Sequence, residues 1–346
     1  MELLSPYGLK IGDTIGVFTP SAPAYTVNEE LFANGVQNLE KLGFKVQLGS
    51  LTANRASQGY RSAPPQQRAQ EFMDLIKDQE VRCLMSTIGG ANSSSMVPYL
   101  DFQLIRDARK IICGYSDLTS LHLSILKYSG LRTLYGPSVM TWFGEYPDGI
   151  PESSASFLQA VTDMSSNPRS LTPFKLWSDH YRSWEGEEWK NIPRKWQKNL
   201  GWNVINPGTA QSQLIICNLN TLTSAAGTGY FPELNGKILL IEEMAASWSL
   251  EERNLRQLSL MGVFDKITGL LIGKPESPNS QGAPFSLEEL ILEIVGPRNY
   301  PIVGSVDCSH TVPMHSIGEA LKVELIANKS YDVSLKMLEP FITPSP

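Results

Sequence analysis

The amino-terminal half of the chain alternates short apolar runs with longer segments in which apolar residues recur every three or four positions. The short runs predict buried β-strands, and the periodic segments predict amphipathic helices. Predicted strands lie near 12–18, 45–48, 81–88, 111–113 and 134–137, and predicted helices near 28–42, 66–78 and 118–126. This succession predicts a parallel sheet with right-handed crossovers and flanking helices.

A second series of apolar runs begins near residue 211 and continues to the last predicted strands. The first run spans 214–222. Predicted strands lie near 236–244, 269–276 and 301–310, predicted helices near 250–261 and 286–295, and a closing hairpin over 323–326 and 330–335. We therefore predict an α/β protein of two domains. An amino-terminal parallel-sheet domain with flanking helices, residues 1–164, precedes a smaller mixed α/β domain, residues 209–346.

The segment between them, residues 165–208, has no clear hydrophobic period. It contains Trp177, Trp184, Trp189, Trp196 and Trp202 among charged residues and prolines. One interpretation is an ordered linker whose tryptophans are buried between the domains. The other is a lid or binding loop, in which a tryptophan stacks on a planar ligand. We predict a connecting segment that also takes part in substrate binding.

Three loops that follow predicted strands should meet at the carboxyl edge of the first sheet. They contain Ser21-Ala-Pro, Gly89-Gly90-Ala-Asn and Gly114-Tyr-Ser-Asp. In the third loop, Ser116 stands at a strand-to-helix turn, where its hydroxyl is presented beside free helix N–H groups. That arrangement suits a nucleophile, although Ser116 or Asp117 could equally cap the helix. The glycine-rich loop has neither the P-loop nor the dinucleotide-binding spacing.

A serine nucleophile needs a general base within hydrogen-bonding distance. Of the four histidines, His310 ends a predicted strand, the position expected of a catalytic side chain. His122 lies up the helix from Ser116, and His180 and His315 occupy less suitable positions. A strand-end carboxylate, Glu242 or its neighbour Glu243, could orient the imidazole. Strand alternation points these two glutamates to opposite faces, which leaves the choice between them open.

Composition narrows the class of protein. The 346 residues are 42% hydrophobic and 18% charged, with a net charge of −6, as in ordinary soluble globular proteins. No basic cluster predicts nucleic-acid binding, and no run is long and apolar enough to span a bilayer. The amino terminus lacks the features of a signal peptide, so we expect a cytoplasmic protein. The four widely spaced cysteines have no metal-binding pattern and are expected to be buried; neither a metal nor a cofactor is predicted.

Several motifs, taken in order, resemble the LD-carboxypeptidase family of serine peptidases, and most closely its microcin C self-immunity branch. They are Thr87-Ile-Gly-Gly-Ala-Asn-Ser, Gly114-Tyr-Ser-Asp, Asn218-Leu-Asn-Thr-Leu, Leu240-Ile-Glu-Glu and Asp307-Cys-Ser-His-Thr-Val-Pro-Met. The resemblance implies that Ser116 is the nucleophile, His310 the base and Glu242 the orienting acid. It also implies an oxyanion hole made of backbone N–H groups, which belong to Gly89, Gly90 and Asp117.

For substrate binding, the resemblance implies that Trp184 stacks on a nucleobase and that Glu276 receives a free α-amino group. Asn218 is predicted with them as a substrate-binding residue. Cys217 departs from the family, which usually has Gly before Asn-Leu, and could narrow the space under the site.

The resemblance implies hydrolysis of the amide-type bond between an acidic aminoacyl group and a nucleotide-like moiety, which inactivates a microcin C-type toxin. The alternative is a murein tetrapeptide LD-carboxypeptidase of cell-wall recycling. An α/β-hydrolase esterase has the same Ser–Glu–His order, but Gly114-Tyr-Ser-Asp-Leu lacks the second glycine of its motif. A binder of aminoacyl nucleotides without turnover would not need the serine, acid and histidine together. A homodimer is also expected from the resemblance.

Overall fold

The computed structural model describes residues 2–165, 168–244 and 247–345, and its strands form two main sheets. In spatial order the first sheet contains Ile317–Gly318, Leu134–Tyr135, Ile111–Gly114, Val81–Ser86, Thr14–Phe18 and Lys45–Leu48. All neighbours run parallel except the edge pair of Ile317–Gly318 with Leu134–Tyr135. The predicted parallel amino-terminal sheet is therefore confirmed.

Helices flank the first sheet at the three positions that the sequence predicts. Further helices, which the sequence analysis did not predict, lie between and after them. The α-helices are Glu29–Lys41, Ser50–Ala53, Pro65–Lys77, Phe102–Ala108, Thr119–Ser129 and Pro151–Thr162. Single turns of 3₁₀ helix span Ala24–Thr26 and Ser116–Leu118, a longer 3₁₀ helix spans Ser93–Tyr99, and a π-helical turn spans Val139–Phe143. The first helix begins where Asn28 accepts a hydrogen bond from the Leu31 N–H, a standard N-cap.

The second sheet is mixed, as predicted for the carboxyl-terminal domain. Its spatial order is Arg169–Leu171, Val333–Met337, Lys322–Ala327, Gly208–Asn218, Ile238–Glu242, Gly269–Gly273, Ile302–Val306 and Asn203–Asn206. The four strands from Gly208–Asn218 to Ile302–Val306 are parallel, and the outer pairings are antiparallel. Two of the outer strands, Arg169–Leu171 and Asn203–Asn206, come from the segment that the sequence predicts as a connection.

Short and long helices cover the second sheet. They are Glu188–Asn191, Leu219–Ser224, Trp248–Leu260, Val263–Lys266 and Leu287–Val295, and a two-stranded ribbon pairs Leu176–Trp177 with Gln197–Lys198. The last helix starts at a capping box in which Ser286 and Glu289 exchange hydrogen bonds. Within the described ranges, no helix has the length and apolarity required to cross a membrane.

The two sheets share their core. Each of the two large clusters of buried apolar side chains draws residues from both halves of the chain. The edge strand Ile317–Gly318 carries the carboxyl-terminal part into the first sheet, and the Asn218 N–H donates to Thr119 Oγ1 at 3.0 Å. All four cysteines are buried thiols, as expected from the sequence. This shared core fixes the strand ends of one sheet against those of the other.

A buried ion pair lies at the strand ends of the second sheet, and hydrogen bonds to its carboxylate hold the connecting segment there. Lys274 and Asp307 form a salt bridge with side chains that are 4% and 0% exposed. Asp307 also accepts hydrogen bonds from Trp202 Nε1 at 2.9 Å and from Asn199 Nδ2 at 3.1 Å. Burial lowers the pKa of Lys274, although the carboxylate of Asp307 acts to raise it. Asp307 thus anchors the chain three residues before His310.

Replacing Asp307 with Asn should lower the free energy of unfolding by about 3 kcal/mol, because it leaves the buried Lys274 ammonium without its counter-charge. Denaturant titration followed by circular dichroism measures this change. Asp265→Asn is the matched control, since Asp265 is 66% exposed and pairs with Arg298 at 2.7 Å on the surface. That control should cost about 1 kcal/mol or less. Equal losses in the two variants would contradict a stabilising role for the buried pair.

Candidate active site

Ser116 occupies a strained turn directly after the strand Ile111–Gly114. Its φ angle is +62°, in the left-handed region that residues other than glycine and asparagine seldom adopt. Such strain is typical of nucleophiles presented between a strand and a helix. The Ser116 side chain lines a cavity of about 360 Å³, and its backbone N–H donates to the Tyr135 hydroxyl at 3.2 Å.

Asp117 holds the glycine-rich loop against this turn. Its carboxylate accepts hydrogen bonds from the N–H groups of Asn92 at 3.0 Å and Ser93 at 2.9 Å. Ser93 Oγ in turn donates to the Asp117 carbonyl at 2.6 Å. Neither Ser116 nor Asp117 caps the following helix through its side chain, so the capping interpretation does not describe this turn.

The two glycines of the loop allow its backbone to approach Ser116. A Cβ atom on Gly89 would lie 3.0 Å from Ser116 Oγ and 3.3 Å from the Asp117 nitrogen. Gly90 has a φ angle of +147°, and a Cβ atom there would collide with Ser21 Oγ. The Ser21 hydroxyl also accepts a hydrogen bond from the Ala91 N–H at 3.0 Å. The loop predicted to meet Ser116 therefore does so at van der Waals distance.

Glu242, the last residue of its strand, contacts His310. Glu242 Oε2 lies 2.6 Å from His310 Nδ1, and both side chains are at least 95% buried. Burial alone would lower the pKa of His310, but the charge and hydrogen bond of Glu242 outweigh it and raise that pKa above its ordinary value. A proton on Nδ1 that is donated to Glu242 leaves Nε2 free to accept another.

Glu243 points away from His310. Its carboxylate accepts hydrogen bonds from the N–H groups of Asn220 at 2.8 Å and Met244 at 2.9 Å, and from Asn218 Nδ2 at 3.0 Å. Strand alternation predicted that only one of the two glutamates could contact the histidine. Glu242 is that glutamate.

Ser116 and His310 line the same cavity from different domains. No hydrogen bond joins Ser116 Oγ to the His310 ring in the described part of the chain. The Tyr115 ring packs against the imidazole at a tilt of 57°, with centroids 4.7 Å apart. In enzymes without substrate, such catalytic hydrogen bonds are often long and shorten in the substrate complex.

The other histidines have different surroundings. His122 is fully buried beneath the nucleophile strand, with Nδ1 2.7 Å from Thr133 Oγ1 and Nε2 3.0 Å from the Gly114 carbonyl oxygen, and burial lowers its pKa to about 4. Burial also lowers the pKa of His315 to about 4. His180 lines the cavity, and its Nδ1 accepts the Lys195 N–H at 3.2 Å.

Trp184 and Glu276 both line the cavity, as the predicted substrate contacts should. Trp184 lies on an apolar wall with Trp189, Leu31 and Met140. Burial raises the pKa of Glu276, while the charges of His310 and Arg194 act to lower it.

Asn218 and Cys217 lie outside the described lining of the cavity. The Asn218 amide group donates to Glu242 Oε1 at 3.3 Å, so this residue lies behind the acid rather than against a ligand. Cys217 is fully buried in the core beneath the strand end.

A charged cluster that the sequence did not reveal closes one side of the cavity. Glu145 accepts hydrogen bonds from Arg194 Nη2 at 2.8 Å and Nε at 3.1 Å, and it forms a salt bridge with Arg182. Arg182 Nη1 donates to the Trp189 carbonyl at 2.9 Å. These contacts fasten the tryptophan-rich segment to the first domain. The aperiodic mixture of arginine and tryptophan there was the only signal of this role.

The arrangement brings together a hydroxyl, an imidazole paired with a carboxylate, and a loop of backbone N–H groups. These are the parts required for acyl transfer through a serine nucleophile. Within residues 2–165, 168–244 and 247–345, no group of three or more His, Cys, Asp or Glu side chains is arranged to hold a metal ion.

Comparison with known proteins gives the same family for both halves of the chain. Residues 15–136 match the LD-carboxypeptidase N-terminal domain, and residues 211–325 match the LD-carboxypeptidase C-terminal domain. The first match includes Ser116, and the second includes Glu242 and His310.

Relatives match over nearly the full length. The microcin C7 self-immunity protein MccF of Escherichia coli is 37% identical over 332 residues, 95% of each chain. The structure of MccF in complex with glutamyl sulfamoyl guanosine aligns with a TM-score of 0.91 and 35% identity, covering 98% of this chain and 100% of that one. A more distant relative, a probable murein peptide carboxypeptidase of Bacillus subtilis, is 27% identical over 89% of this chain and 87% of its own. The chain belongs to the LD-carboxypeptidase family of serine peptidases.

Proposed function

We propose that the protein hydrolyses the amide-type bond between an acidic aminoacyl group and a nucleotide-like moiety, and so inactivates toxins of the microcin C type. The observation that carries this proposal is a single cavity lined by Ser116, by His310 with its bound Glu242, and by Trp184 on an apolar wall. The likeness to MccF, whose solved complexes contain glutamyl sulfamoyl guanosine and aspartyl sulfamoyl adenosine, supports the choice of substrate.

In the proposed mechanism, Ser116 Oγ attacks the aminoacyl carbonyl carbon while His310 Nε2 takes the hydroxyl proton. Glu242 stabilises the imidazolium that forms. Backbone N–H groups of Gly89, Gly90 and Asp117 donate to the oxyanion of the tetrahedral intermediate. His310 then protonates the leaving nitrogen as its bond to carbon breaks, and a water molecule activated by His310 hydrolyses the acyl-serine.

We assign recognition of the substrate to two residues of the cavity. Glu276 supplies a carboxyl group for the substrate's α-ammonium group. Burial raises the pKa of Glu276, and the positive charge of a bound α-ammonium group would act with those of His310 and Arg194 to lower it. The Trp184 indole offers a flat apolar surface on which a nucleobase can stack. Because Asn218 lies behind Glu242, we assign it the positioning of that acid in place of direct contact with substrate.

The second candidate is the release of the terminal D-residue from a murein tetrapeptide. It rests on the relationship to the probable murein peptide carboxypeptidase. The same nucleophile, base and acid would act, but the tryptophan wall would have no planar ring to contact.

On the basis of the family, we also propose a cytoplasmic location and a homodimeric assembly. Sedimentation analysis that gave only a monomer would contradict the assembly.

Replacing Ser116 with Ala should lower kcat toward aspartyl sulfamoyl adenosine by about 10⁴-fold or more, because the acyl-serine can no longer form. Product release is followed by chromatography and mass spectrometry. Binding of intact substrate should persist in the variant, since the cavity is otherwise unchanged. Turnover at the parental rate would exclude a serine mechanism, and tight binding without turnover by the parent would indicate a sequestering protein instead.

Replacing Gly89 with Ala should lower kcat by about 10²-fold, because the new methyl group would displace the loop that carries the oxyanion donors. Gly304→Ala is the matched control. A Cβ atom on Gly304 would lie 3.1 Å from Ile205 Cδ1, a contact as tight as the one at Gly89 but outside the cavity. The control should lower the melting temperature without a comparable fall in kcat. Equal kcat losses would remove the argument for an oxyanion hole at Gly89.

Replacing Trp184 with Ala should raise KM for aspartyl sulfamoyl adenosine by about tenfold, the effect of losing one base-stacking contact. Cleavage of an LD-tetrapeptide should change little, and Trp184→Phe should retain most of the nucleotide activity. Trp196→Ala serves as the control, because Trp196 is 42% exposed and lies outside the cavity lining. If the parent cleaves only the tetrapeptide, the murein activity replaces the proposed one.

A further inference from the structure

Tyr135 lies between the nucleophile turn and the acid of the proposed triad. It ends a strand of the first sheet and is fully buried. Its hydroxyl donates to Glu242 Oε1 at 2.6 Å and accepts the Ser116 N–H at 3.2 Å. A phenol hydroxyl has one hydrogen and two lone pairs, so it can make both contacts at once. The Tyr135 hydroxyl oxygen therefore contacts Ser116 in the first domain and Glu242 in the second.

The two oxygens of Glu242 have separate partners. Oε2 lies against His310 Nδ1, while Oε1 receives the Tyr135 hydroxyl and the more distant Asn218 amide at 3.3 Å. The short contact to Tyr135 fixes the rotation of the carboxylate about its last side-chain bond. Burial, then the charge of Glu242, raises the pKa of Tyr135 well above its ordinary value, so the hydroxyl remains a donor throughout the pH range of activity.

The contact to the Ser116 N–H acts on the nucleophile. Ser116 has a positive φ angle, a conformation that needs support from its surroundings. The Tyr135 oxygen satisfies the serine N–H at the start of the turn. Neighbouring groups support Tyr135, since the His122 ring lies with its centroid 5.7 Å from the phenol ring.

We propose that Tyr135 is a positioning residue that sets the orientation of Glu242 and, through it, of His310, and that couples this acid to the turn holding Ser116. It makes no contact with substrate in this role, because it lies outside the described cavity lining. The proposal rests on the proposed function only in that Ser116, His310 and Glu242 carry out the chemistry. The coupling between Tyr135 and the ionisation of His310 can be measured without any substrate.

Tyr135→Phe removes the hydroxyl and keeps the ring. Toward aspartyl sulfamoyl adenosine, kcat should fall about tenfold with KM within about threefold of the parent value, as expected for an interaction that acts on the catalytic groups. The acid limb of the kcat/KM profile should move to higher pH. Without the Tyr135 hydroxyl, the carboxylate of Glu242 accepts one hydrogen bond fewer and interacts more strongly with the protonated imidazole. The pKa of His310 should therefore rise.

Two measurements separate positioning from packing. Tyr300→Phe is the matched control, because it removes a tyrosine hydroxyl that donates to the Phe264 carbonyl at 2.9 Å in the second domain. It should lower the melting temperature and leave the acid limb in place. In a Glu242→Gln background, Tyr135→Phe should cause little further loss of kcat, since its effect passes through the carboxylate.

Nuclear magnetic resonance of the His310 ring, titrated over pH in parent and Tyr135→Phe proteins, tests the coupling directly. An upward shift of the His310 pKa in the variant supports the proposal even if another substrate proves to be the natural one. An unchanged or lowered pKa in a folded variant overturns it, as does an undiminished effect of Tyr135→Phe on kcat in the Glu242→Gln protein. Failure of the parent to cleave aspartyl sulfamoyl adenosine would count against the proposed function alone.

Discussion

The buried carboxylate of Glu242 is the constraint on which the site depends. Removing an ion from water costs several kcal/mol unless nearby groups compensate for the lost solvation. Here the compensation comes from His310, Tyr135 and Asn218. Tyr135 ends a strand of the first sheet, Asn218 ends a strand of the second, and His310 lies in the loop after the second-sheet strand Ile302–Val306. Because no single domain supplies all of these partners, the catalytic pair depends on the docking of the two sheets. The shared apolar core and the Asn218–Thr119 hydrogen bond maintain that docking.

Charge around this carboxylate is distributed unequally among its neighbours. Glu251 and Glu243 lie close enough to interact with Glu242, and burial together with these charges raises the pKa of Glu251 to about 8. Burial, then the charge of Glu242, also raises the pKa of Glu243, although hydrogen bonds from Asn218 and backbone N–H groups act to lower it. Of these three carboxylates, Glu242 is the one that contacts the imidazole, with Oε2 2.6 Å from His310 Nδ1.

The sequence was most informative where function coincides with a strand end. Apolar runs that lead to Ser116, Glu242 and His310 predicted their common location, because parallel strands place their carboxyl ends at one edge. The prediction that a strand continues to His310 was wrong, since that strand ends at Val306 and the histidine lies in the loop that follows. Tyr135 and the cluster of Glu145 with Arg182 and Arg194 could not be predicted in this way. Tyr135 contacts Ser116, 19 residues away along the chain, and Glu242, 107 residues away. The arginine partners of Glu145 are at least 37 residues away, and no period or spacing connects any of these pairs. The predicted domain limits at 164 and 208 remain predictions. Two strands between these limits, Arg169–Leu171 and Asn203–Asn206, belong to the second sheet.

The shape of the cavity follows from the chain segments that build it. The first sheet supplies Ser116 and the glycine loop, and the second supplies His310 and Glu276. The tryptophan-rich segment supplies a further part of the wall, and the partly buried Glu145–Arg194 contact holds it in place. This segment brings apolar indole surface to one wall, whereas Glu276 and Arg194 bring charge. A ligand with a flat apolar ring and a charged aminoacyl end complements both features, while a peptide without a ring would leave the indole surface of Trp184 uncovered.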